Sequence, residues 1–259
     1  MKAMEQVALS VNGTEWRLRD ILKLAAMTGR FTTVEDGIRR AVILAVAEQH
    51  GLPADEQEWK AAANAMRQQM GLYSAAETKA WLRRHGLATT DLFEEARARL
   101  LTEKVKRLVT EARVDAYFLE NRLAFDRACV SQLALRTREQ ALELRFQLEE
   151  GGSFYELAQT YSVIGGSRYD GGYVGWVGRA ELSGEEEALV FGAEAGSTVG
   201  PFPFGSCYRL LHVWEVNSAA LTGELRLQLA DQLFEAWLDE AVNQANVDVK
   251  LWRDLAGEA

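Results

Sequence analysis

The stretch that most restricts what this chain can fold into is Tyr161–Leu182, which reads Tyr-Ser-Val-Ile-Gly-Gly-Ser-Arg-Tyr-Asp-Gly-Gly-Tyr-Val-Gly-Trp-Val-Gly-Arg-Ala-Glu-Leu. Six of its 22 residues are glycine, including the pair Gly171-Gly172, and Gly172, Gly175 and Gly178 fall at every third position. Glycine loses more backbone entropy on folding than any other residue. So many beside Tyr and Trp therefore point to positive φ angles and close backbone approaches. A loop entering a short, glycine-interrupted strand fits this pattern. Taken alone, the stretch is equally a bulged hairpin of an ordinary small sheet.

The flanks narrow the choice. Ser153-Phe-Tyr-Glu156 is a capping box that opens a short helix over Phe154–Tyr161. Thr137-Arg-Glu-Gln140 caps a helix carrying Ala141, Leu144 and Leu148 at helical spacing. Downstream come the cap pattern Ser183-Gly-Glu-Glu186, then Gly200-Pro201 and the strand-like Tyr208–Val216. This ordered set, with Phe154-Tyr-Glu-Leu-Ala158, Tyr161-Ser162, Gly171-Gly172, Gly175-Trp176, Phe191 and Gly200-Pro201, resembles the parvulin (rotamase) domain of peptidyl-prolyl isomerases. The resemblance covers Ala128 to Val216.

The first half reads as helix. Val7–Val11 and the turn signal Asn12-Gly13 suggest one short hairpin. Apolar stripes then mark a helix ending near Gly29, a second through Ile38, Val42 and Val46, and three more over Glu56–Met70, Ala75–His85 and Leu92–Arg113. The last continues, broken near Val114-Asp115, into Ala116–Arg127. Val11-Asn-Gly13, His50-Gly51-Leu52 and Trp81…His85-Gly86-Leu87 are similar in order and spacing to the helical module of SurA- and PrsA-type foldases, which implies a peptide-holding role. At the far end, Leu225, Leu229, Leu233 and Trp237 recur every fourth residue. Such a stripe needs cover. The resemblance implies that it returns to the N-terminal helices; a dimerisation helix is the competing use.

The chain is therefore expected to be an α+β protein, a mainly helical chaperone-like domain with an inserted parvulin-like domain of about four antiparallel strands flanked by helices. The expected segments are 1–127, helical; 128–217, parvulin-like; and 218–259, a C-terminal helix packing back on the first. A net charge of −9 argues against a general nucleic-acid or anionic-membrane binder. No apolar run approaches the ~20 residues that span a bilayer, and no signal-peptide pattern is visible, so a cytoplasmic protein is expected. Cys129 and Cys207 are then expected to be reduced. The three histidines, His50, His85 and His212, are dispersed, and neither a metal site nor a cofactor is expected.

The chemistry at issue is rotation about an X-Pro amide, with a barrier of about 18–20 kcal/mol and no bond cut. An apolar cup for the proline ring and polar groups that favour the twisted amide are what help. The resemblance implies a substrate-binding set of Val174, Trp176, Leu182, Glu186 and Phe191, in which Glu186 stands where a Phe is usual. Its catalytic positions are Gln132 and Arg209 in place of two histidines, Ile164 in place of a loop Asp or Cys, and Ser206, which keeps a hydroxyl. If Gln132 and Arg209 face each other, Cys129 lies opposite His212. An Arg209–Glu186 pair would balance the charge, at a surface value of about 0–1 kcal/mol. Two readings follow. One is a weak isomerase and foldase that holds an unfolded or precursor polypeptide client. The other is an inactive peptide-binding adaptor of parvulin fold. The layout also resembles parvulin-like proteins found in bacteria beside peptide-maturation and export systems, which implies a ribosomal precursor peptide as client. A dimer is compatible with either reading.

Overall fold

The structure, a computed structural model, describes residues 4–30 and 32–251. It divides into two compact units, Met1–Val114 with Glu224–Ala259, and Asp115–Gly223. The division falls within one helix, so the second unit takes in that helix's final turns as well as the parvulin-like stretch.

In the first unit, β1 (Val7–Val11) and β2 (Thr14–Arg17) form a hairpin turned by Asn12 and Gly13, both at positive φ. Helices α1 (Leu18–Met27), α2 (Thr33–Gln49), α3 (Glu56–Gln69), α4 (Ala75–Arg84) and α5 (Thr89–Asn121) follow, and α10 (Gly223–Gln244) completes the unit. Reciprocal capping boxes at Asp55/Glu58 and Ser74/Glu77 start α3 and α4, satisfying amide groups that the helix itself leaves unpaired. The break expected near Val114-Asp115 is not there. Val114 is buried and α5 runs on to Asn121, because its apolar stripe continues without a Gly or Pro to stop it. Phe234 and Leu238 of α10 pack with Ile43 and Ala47 of α2 and Leu101 and Val105 of α5. Leu229 and Leu233 are buried as well, while Leu225 and Trp237 are half-buried. Each large side chain so covered contributes about 1.5–3 kcal/mol.

In the second unit, an antiparallel sheet has the order β4 (Tyr173–Gly178), β3 (Arg127–Leu135), β6 (Cys207–Asn217), β5 (Ser197–Phe204). Helices α6 (Arg138–Glu149), α7 (Phe154–Tyr161), the single turn α8 (Gly165–Arg168) and α9 (Gly184–Phe191) connect the strands. Side-chain alternation splits the strands between two cores. Ala128, Val130, Val177, Phe202, Leu211 and Val213 meet Val190 of α9 on one face. Leu133, Leu135 and Leu210 meet α6 and α7 through Ala141, Leu144, Phe154 and Ala158 on the other.

The strand register differs from the expected one. Arg209 lies opposite Ala134, and Gln132 opposite Leu211, so the two are diagonal rather than facing. Cys129 lies opposite Glu215, not His212: the strands pair two residues away from the expected register, and a bulge between Cys129 and Val130 adds one more. Eight residues of β6 then separate the two cysteine positions, roughly 26 Å at about 3.3 Å per residue, far beyond disulfide reach. Both thiols are free.

Candidate functional site

The glycine-rich stretch is a strap laid across β3. The amide of Gln132 donates to the Gly172 carbonyl at 2.7 Å. At Gly172 (φ +85°) a Cβ would fall 2.3 Å from the Gln132 carbonyl oxygen, and at Gly171 (φ +61°) one would fall 1.8 Å from the Tyr155 ring. Close approach and backbone conformation both demand glycine here. Ser162, buried at the end of α7, anchors the other end of the strap. Its Oγ accepts the amides of Ala134 and Ile164 at 3.4 Å, and the Val163 amide donates to the Ala134 carbonyl at 2.9 Å. Ile164 is thereby fixed, half-buried, with only a hydrocarbon side chain to offer. Gln132 is a polar group placed by the same strap, and its Nε2 donates to Ser167 Oγ at 3.3 Å.

Arg209 and Glu186 come together on the α9 face. Arg209 Nε donates to Glu186 Oε1 at 2.5 Å and Arg209 Nη2 to Oε2 at 2.7 Å, a bidentate fork. The pair is not the surface bridge expected from sequence. The side chains are only 13% and 4% exposed, and the guanidinium lies 4.3 Å from the Phe204 ring centroid. Glu186 also accepts from the Ser183 amide at 3.0 Å and the Ser183 hydroxyl at 2.9 Å. Burial alone would raise its pKa. The hydrogen bonds from Arg209 and Ser183 outweigh that and hold the carboxyl below its ordinary value. The capping pattern Ser183…Glu186 that starts α9 thus delivers the carboxylate to the arginine.

The remaining expected residues do not gather into an open cup. Leu182 and Phe191 are half-buried against the core of the α9 face. Phe191 lies under another cation, with the Arg179 guanidinium 4.1 Å from its ring centroid. Arg179 is held there by Glu187 at 2.8 Å and by the buried Asp126 at 3.0 Å. Val174 and Trp176 are 45% and 38% exposed on the edge strand β4, and Ser206 is exposed in the β5–β6 turn. Sequence reasoning missed Arg179, Asp126 and Phe204. No motif marks them: Asp126 meets Arg179 across 53 residues of chain, and the shorter-range contacts of Arg179 with Glu187 and of Phe204 with Arg209 follow no helical or strand spacing. Among the described residues no group of three or more His, Cys, Asp or Glu could hold a metal.

Chemically, the face offers a charge-neutral plug with its donors and acceptors used on each other, in place of free polar groups poised over a ring-sized hollow. Neither arginine nor glutamine transfers a proton near neutral pH.

This sheet order with its glycine strap, capped helices and family site positions defines the class: a parvulin-type peptidyl-prolyl isomerase domain. Residues 131–215 match the rotamase family of PPIC-type PPIASE domains, and the chain joins this domain to a helical module of the SurA/PrsA kind. The foldase protein PrsA of Geobacillus kaustophilus is 28% identical over 162 residues, which are 62% of this chain and 56% of that protein. The chaperone SurA of Alkalilimnicola ehrlichii is 34% identical over 116 residues, 40% of this chain and 26% of that one. The match thus spans about half of the first relative and a quarter of the second. The crystal structure of peptidylprolyl isomerase PrsA from Bacillus cereus shares the fold, with a TM-score of 0.50 at 16% identity, over 97% of this chain and 99% of that one.

Proposed function

We propose that this protein is a foldase that works chiefly by holding an unfolded or precursor polypeptide, and that its parvulin-type domain turns over prolyl bonds only weakly. The observation that carries this reading is the buried Arg209–Glu186 fork, made of two residues that the resemblance sets where a histidine and a cup Phe are usual. Preorganised electrostatic groups of that kind are each worth about 10²–10³ in rate, so their loss is a large one. Holding requires only apolar surface and a few hydrogen bonds, and the helical module with Val174 and Trp176 exposed on β4 supplies both kinds of contact.

The test is paired. Suppression of aggregation of an unfolded client should be strong in the full chain, while turnover of an X-Pro tetrapeptide by the same sample should be close to background. Rapid turnover without suppression would reverse the assignment. We further propose the cytoplasm as its place of work, supported by two free and widely separated thiols. Recovery of the protein outside the cytoplasm on cell fractionation would contradict this.

A further inference from the structure

On the sheet face away from Glu186 and Arg209, the second unit holds a cavity of about 580 Å³ that the family site does not use. Phe154 and Tyr155 from the start of α7, His212 and Trp214 from β6, Thr198 from β5 and Glu149 from the end of α6 form its walls. His212 is locked in place. Its Nδ1 lies 3.0 Å from Thr198 Oγ1, and its ring lies 5.2 Å from that of Phe154 and 4.3 Å, edge to face, from that of Trp214. Trp214 Nε1 donates to the buried Ser131 hydroxyl at 2.8 Å. The indole N–H is therefore spent inside the fold, and Trp214 as a residue is still 47% exposed.

These features have one electrostatic sense. Aromatic faces carry negative quadrupole density and attract cations. Glu149 contributes the only formal charge among the side chains of the wall. Arg145 Nε donates to one of its oxygens, Oε1, at 2.9 Å, and its Nη1 reaches the Gly200 carbonyl, so a single guanidinium contact does not use up the carboxylate. Burial lowers the pKa of His212 and so favours its neutral imidazole, which does not repel a cation; the Arg145 guanidinium beside Glu149 is not among the residues of the wall. Trp214 and Tyr155, both about half exposed, leave aromatic surface at the cavity for an extended backbone to meet.

We propose that this cavity binds the side-chain cation of a basic residue, lysine or arginine, carried on an extended polypeptide. It is a second contact for a client, independent of the plugged family site. Chemically, the aromatic rings surround the alkyl stem and the charged head while the Glu149 carboxylate meets the charge.

The experiment uses the full chain and three short probes: acetyl-Gly-Lys-Gly-amide, its arginine counterpart, and the uncharged norleucine counterpart. The readout is the Trp214 indole N–H resonance among the seven tryptophans, assigned through Trp214→Phe. Both basic peptides should shift it saturably, and norleucine should require about tenfold more peptide, in line with cation–π and carboxylate contacts acting together. Glu149→Gln, at a half-exposed side chain paired with Arg145, should weaken the lysine peptide by roughly threefold or more. Equal binding of norleucine, no effect of Glu149→Gln, or no shift of the Trp214 resonance would each overturn the proposal. Neither prolyl turnover nor client holding enters this titration, so its failure leaves the preceding reading intact.

Discussion

The two faces of the parvulin-type sheet use the same strands to opposite ends. On the α9 face, β6 contributes Arg209, which is buried, doubly hydrogen-bonded to Glu186 and stacked near Phe204. On the α6–α7 face, one alternation further along the same strand, β6 contributes His212 and Trp214, which border an open cavity. The α9 face is closed by a buried ion pair, while the α6–α7 face, packed around Leu133, Leu135 and Leu210, leaves a cavity beside His212. A fold can thus keep every element that positions a site while the site's contents change, because strap, caps and strand order are specified by other residues than the ones that react.

The largest effect should come from removing half of the plug. Arg209→Ala leaves Glu186 buried without its partner and should lower stability by about 3–5 kcal/mol, measured by urea unfolding. A loss below about 1 kcal/mol would mean that the pair is solvated after all. Gly172→Ala strikes the strap and should cost about 1–3 kcal/mol, since both a positive φ and the Gln132 carbonyl oppose a Cβ. The double change Glu186→Leu with Arg209→Met removes both charges together. It should alter stability by less than about 1 kcal/mol or raise it, because buried ion pairs barely repay their desolvation.

The smallest effect is in pH dependence, and it separates the faces. Both Glu186 and His212 have folded-state pKa values below their ordinary ones, so each contributes stability that is present at higher pH and lost on acidification. For His212 the loss begins as pH falls through its ordinary value of 6.5, where the unfolded chain takes up a proton and the buried imidazole resists. For Glu186 it begins only below the ordinary value of 4.5 and continues through the folded one. Thermal melts from pH 8 to pH 4 should therefore show a shallow decline near pH 6 that His212→Gln abolishes and that the Glu186→Leu/Arg209→Met double variant keeps.

Much of this was legible in the sequence. Gly171-Gly172, the caps at Ser153 and Ser183 and the four-residue stripe of α10 act through local conformation or helical spacing, which sequence displays directly. The Glu186 and Arg209 substitutions were visible too, but their meaning was not. Whether such a pair is exposed or buried depends on Phe204 and the core beneath α9, which no local pattern encodes. Register failed for a similar reason: β3 and β6 pair two residues away from the expected alignment from Val130 to Leu135, a bulge at Cys129/Val130 adds a third, and no local pattern announces either. The His212 cavity joins α6, α7, β5 and β6, so its residues were seen only as scattered members of separate elements.

The central claim is that the plug, and not the fold, sets the rate of prolyl isomerisation. The direct measurement is turnover of an X-Pro peptide by the wild type beside a variant carrying Gln132→His, Ile164→Asp, Glu186→Phe and Arg209→His, which restores the residues usual in parvulins. The wild type should be close to background and the restored variant faster by about 10²-fold or more. Wild-type turnover equal to that of the restored variant, with both proteins folded, would contradict the account.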